Sequence, residues 1–67
     1  MKTIYDVQQF LKRFGTIIYV GDRLGDLELM KAELNDLAHT EIIEQQEFEM
    51  AVLLLNQEIQ KLKEKQK

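Results

Sequence analysis

Apolar residues recur along this chain at helical intervals. Ile4, Val7, Leu11 and Phe14, flanked by Phe10, are three or four residues apart, the spacing that puts side chains on one helix face. The first helix is predicted to begin after Thr3, whose hydroxyl can accept from first-turn amides, with Asp6 at the positive helix end. Gly15 ends it, because glycine tolerates the left-handed conformation common at helix termini. The next five residues, 16–20 (TIIYV), are β-branched or aromatic and have no second strand to pair with, so they read as an extended strap. Gly21 and Asp22 form a turn, and Asp22 caps a second helix running to about His39, frayed at Gly25. Its buried face is Leu24, Leu27, Met30, Leu34, Leu37 and Ala38; Leu29 falls on the opposite side and needs the strap, a partner or solvent.

The third helix is predicted from about Glu44 into a lysine-rich tail at residues 61–67, with Phe48, Val52, Leu55, Ile59 and Leu62 in heptad-like steps. Residues 50–55 are apolar all round, which leaves Met50 and Leu53 behind the core stripe. The expected arrangement sandwiches this helix between the other two, and the alternative is a homodimer through Met50 and Leu53. The fold class is therefore all-α, a three-helix bundle with a short extended strap between helices 1 and 2, forming one domain over residues 1–67.

Composition agrees with a folded chain. It is 45% hydrophobic and 31% charged, enough apolar surface to offset ordering entropy. The absence of cysteine removes disulfides and thiolate metal sites and fits a reducing cytoplasm. The opening MKTIYDVQQF breaks any apolar leader with Asp6 and two glutamines, and no apolar run approaches the roughly 20 residues that cross a bilayer. A cytoplasmic protein with no membrane partner is expected.

Net charge is −3, unevenly spread. Lys2, Lys12, Arg13 and Arg23 outnumber Asp6 and Asp22 at the start. The stretch from Asp26 to Glu58 holds a single cation, Lys31, among its carboxylates, and Lys61, Lys63, Lys65 and Lys67 make the end basic again.

That layout limits the chemistry. Catalysis would have to use His39, the lone histidine, or a carboxylate in a dry pocket that no pattern here predicts, so an enzyme with a small-molecule substrate is not expected. Asp22, Asp26 and Glu28 read as helix caps and first-turn acids rather than a calcium loop, and the glycines lack the lysine of a phosphate loop. No metal and no cofactor are expected. A recognition helix for duplex DNA is excluded at helix 3, whose entry is Glu41, Glu44, Glu47 and Glu49.

Single-stranded nucleic acid is the leading expected partner. On helix 1, Tyr5, Gln8, Gln9 and Lys12 face away from the core, placing an aromatic ring, amides and a cation together for stacking and phosphate contact. An up, down, up course would gather Lys12, Arg13, Arg23 and the tail from Lys61 at one pole, with Tyr19 nearby. The candidate nucleic-acid-binding residues are thus Tyr5, Gln9, Lys12, Arg13, Tyr19, Arg23 and Lys61. A self-associating or protein-binding helical module is the rival reading.

Five stretches, Tyr5-Asp6-Val7-Gln8-Gln9, Gly15-Thr16-Ile17-Ile18-Tyr19, Gly21-Asp22-Arg23, Asp26-Leu27-Glu28-Leu29-Met30 and Leu53-Leu54-Leu55, resemble the YqgQ-like proteins of Gram-positive bacteria over nearly the whole chain. The resemblance implies a short cytosolic three-helix protein and supplies no functional residues to carry over.

Overall fold

A computed structural model describes residues 1–65. It has three helices, α1 (Ile4–Lys12), α2 (Arg23–His39) and α3 (Gln45–Lys65), in the all-α arrangement expected. α3 continues unbroken through the lysine-rich segment to Lys65; residues 66–67 of that segment lie outside the described residues.

Local chemistry sets the helix ends. Thr3 caps α1: its hydroxyl accepts from the Asp6 N–H, while the Asp6 carboxylate accepts from the N–H groups of Lys2 (2.8 Å) and Thr3 (3.1 Å). Those bonds, chiefly the one from Lys2, hold the Asp6 carboxyl below the usual carboxylate range. Because the folded value is the lower one, the stabilisation is complete above the unfolded pKa and fades as pH falls through the folded one. Asp6→Asn is therefore expected to flatten the acid limb of stability, the loss that sets in as pH falls through and below the ordinary carboxylate range, followed by circular dichroism. An acid limb unchanged from wild type would show that the cap does not titrate with folding.

α1 closes with paired bonds from Gly15 N–H to the Lys12 carbonyl and from Thr16 N–H to the Leu11 carbonyl, with Gly15 left-handed at φ 84°. The same motif ends α2, where Glu41 N–H donates to Ala38 and Ile42 N–H to Leu37. Here the left-handed position is held by Glu41, at φ 59°, a side chain that resists this conformation. Glu41→Gly is expected to raise stability by about 0.5–1 kcal/mol, a thermal midpoint a few degrees higher, and a lower midpoint would refute it. The cap of α2 is Asp22, whose carboxylate accepts from Gly25 N–H at 2.8 Å; Gly25 lies inside the helix rather than at a frayed point.

The core draws Val7, Phe10 and Leu11 from α1, Leu27, Met30, Leu34 and Leu37 from α2, and Ala51, Leu55 and Ile59 from α3, with Ile43 contributed by the α2–α3 turn. Two stripes differ from their predicted positions. Phe10 is buried while Phe14, beyond the end of α1, is exposed and meets Phe10 edge to face at 5.2 Å between ring centres. On α3 the buried line passes through Ala51, Leu55 and Ile59, with Phe48, Val52 and Leu62 only half-buried, because a small residue at 51 lets α3 approach closely. The expected sandwich does not cover the back of α3: Met50 and Leu53 remain 41% and 52% exposed. Leu29 is likewise left to solvent.

The strap decides the course of the chain. Thr16 donates its hydroxyl to the Glu33 carboxylate (3.1 Å) and Val20 its N–H to the Asp26 carboxylate (2.7 Å), so the strap descends α2 from its middle to its start. Five extended residues reach roughly 16 Å and the nine of α1 only about 13 Å, so the strap carries the chain back past the whole of α1. Helices α1 and α2 therefore start at the same end and α3 runs against both, in place of the up, down, up course.

Candidate interaction surfaces

The return of the strap redistributes the candidate residues. One pole brings together the start of α1, the start of α2 and the later half of α3. Lys2, Tyr5, Arg23, Gln57, Glu58 and Lys61 line an open groove of about 390 Å³ there. Tyr5 is 65% exposed, so its ring is offered to solvent on a rigid first turn held by the Thr3 cap. Arg23 approaches Glu58 at 4.0 Å, with both side chains well hydrated. Such a pair adds little stability, and the guanidinium remains available to an anion. Lys65 follows Lys61 one turn along α3.

Gln9 and Lys12 lie elsewhere. With Gln8, Leu11, Ile18 and Met30 they line a smaller cleft of about 220 Å³ between α1 and the strap. Arg13, just past α1, lines neither hollow, and Tyr19 projects from the strap at 84% exposure. The single basic pole built from Lys12, Arg13, Arg23 and Lys61 is thus corrected: Arg23 and Lys61 meet Tyr5 and Lys2, while Lys12 and Arg13 are carried away with the other end of α1. Lys2 was not among the sequence candidates. It belongs to the same basic start, and the length of the strap relative to α1 was the signal that could have placed it.

Asp26 is the first-turn acid expected and is also buried, 8% exposed and bound to Val20 N–H. His39 is exposed in the last turn of α2. Among the described residues no group of three His, Asp or Glu side chains comes together to hold a metal ion. Among them also, no helix is long and apolar enough to cross a membrane.

Comparison with known proteins places these surfaces in a family context. The family model described as YqgQ-like matches residues 1–61, which take in α1, the strap, α2 and most of α3. The uncharacterized protein YqgQ of Bacillus subtilis (strain 168) is 43% identical over 63 residues, covering 94% of this chain and 89% of that protein.

Proposed function

The chain belongs to the YqgQ-like family, and from that premise we propose that it is a non-catalytic bacterial protein of the cytoplasm that binds single-stranded nucleic acid at the Tyr5 pole. The observation carrying this reading is the exposed Tyr5 ring bracketed by Lys2, Arg23 and Lys61 in one groove. An unstacked base can lie on the ring while the cations meet the phosphates on either side, the combination used by sequence-tolerant single-strand binders. An overall charge of −3 limits affinity and makes binding strongly salt-dependent. Non-catalytic action is supported by where the polar chemistry goes: the Asp6, Asp22 and Asp26 carboxylates each hold main-chain amides.

Anisotropy titration of labelled oligothymidylate against salt tests the proposal. Three cations neutralising three phosphates give a slope of log affinity on log salt near −2, at about −0.7 per phosphate. Tyr5→Ala is expected to weaken binding by about 1–3 kcal/mol, one stacked base. Lys12→Ala with Arg13→Ala is expected to change it far less than Lys2→Ala with Lys61→Ala. Absence of binding at low salt, or the reverse ranking of the two double variants, rejects the Tyr5 pole.

A second reading, self-association through α3, rests on the exposure of Met50 and Leu53. Sedimentation equilibrium decides it: a dimer weakened by Leu53→Glu supports the contact, and a monomer at high concentration removes it.

A further inference from the structure

The cleft between α1 and the strap is chemically unlike the Tyr5 groove. Leu11 and Met30 close its base but are themselves almost wholly buried, so the apolar surface it offers is that of Ile17 and Ile18, and Lys12 is the one charged side chain lining it. Glu33, beside it on α2, is engaged by the Thr16 hydroxyl, and among the described residues no carboxylate lies within ion-pair distance of Lys12. At about 220 Å³ the hollow exceeds the roughly 150 Å³ that admits a benzene ring and falls short of the roughly 300 Å³ at which small-molecule sites begin. It fits one large apolar side chain.

The strap forms one wall. Its main-chain N–H groups are tied at the two ends, Thr16 to Leu11 and Val20 to Asp26, while among the described residues the main chain of Ile17, Ile18 and Tyr19 has no hydrogen-bond partner. A short extended segment with free donors and acceptors is a template for another strand. Leu29 extends the apolar margin: on a helix it lies about 60° from Asp26 and about 40° from Glu33, the two residues that hold the strap, and it is 46% exposed.

We infer that this cleft docks an extended acidic peptide of a partner protein, which pairs its main chain with residues 17–19, seats one apolar side chain against Ile17 and Ile18, and sets a carboxylate against Lys12. Main-chain pairing supplies affinity and the pocket supplies selectivity, as in other strand additions. Charge complementarity identifies the occupant. Lys12 on the rim, with no carboxylate within ion-pair distance among the described residues, favours an acidic side chain, and the unpaired main chain of residues 17–19 calls for a peptide backbone rather than a sugar-phosphate one. The site is independent of the Tyr5 pole.

The test is an amide NMR titration of the full chain with the blocked peptide acetyl-Thr-Val-Phe-Glu-Asp-Val-amide. Expected are shifts at residues 16–20 and at Lys12, with a dissociation constant on the order of 0.1–1 mM. Replacing the peptide phenylalanine by alanine is expected to weaken binding at least about tenfold, the loss of a buried aromatic anchor. Lys12→Glu, a substitution at an exposed position that spares the core, should invert the preference, so that a Lys-Lys version of the peptide binds better than the Glu-Asp one. The inference is overturned by the absence of shifts at residues 16–20 up to millimolar peptide, or by equal binding of acidic and basic peptides. It is overturned as well by oligothymidylate or a second copy of the chain occupying the same residues in preference to the peptide.

Discussion

Leu55→Ala is expected to leave much of the protein unfolded at room temperature. The side chain is fully buried on α3 within the cluster that joins all three helices. Removing its methyl groups forfeits transfer free energy and leaves a cavity, a loss of about 2–5 kcal/mol. A domain of this size seldom has more than about 3–5 kcal/mol in total, and this chain has no disulfide to supplement its core. Urea unfolding by far-ultraviolet circular dichroism measures the effect. Leu53→Ala, half a turn away and 52% exposed, is the internal comparison and should change stability by less than about 0.5 kcal/mol. If the two variants proved equally harmful, the face of α3 turned to the core would have to be reassigned.

Asp26→Ala is expected to cost about 1–3 kcal/mol and to free the lower end of the strap. Its carboxylate receives Val20 N–H at 2.7 Å in a buried position near the start of α2, where the helix dipole also favours negative charge. Alanine removes the acceptor and leaves the donor unpaired. The Thr16–Glu33 bond still holds the upper end, so the expected signature is local. Hydrogen exchange should accelerate at Val20 and its strap neighbours more than in the middle of α2. Uniform acceleration throughout the molecule would instead assign Asp26 to global stability. Because the strap walls the α1 cleft, the same variant is also expected to weaken the acidic peptide, while oligothymidylate binding at the Tyr5 groove persists wherever the protein is folded.

The two surfaces differ in how legible they were. Tyr5 could be recognised as outward-facing from its place in the α1 repeat, and Arg23 and Lys61 as cations at helix ends. That Lys2 joins them, and that Lys12 and Arg13 do not, depends on the direction of α1 relative to α2. The apolar cleft was hidden for the same reason, since Leu11 and Met30 both read simply as core and only the returning strap puts Ile18 beside them.

The sequence by itself determined the elements whose causes are local. Helical periodicity, the Thr3 and Asp22 caps, the left-handed turn at Gly15 and the apolar faces of α1 and α2 all act within a few residues, so α1, α2 and α3 emerge close to their observed limits. Tertiary structure alone decided the path of the strap, because an extended segment has no periodicity to say which way it lies. Its direction is set by Thr16 bonding Glu33, 17 residues away, and by Val20 bonding Asp26. Those contacts turn an expected up, down, up bundle into one whose first two helices start together. That reversal determines which cations surround Tyr5 and opens the cleft beside α1.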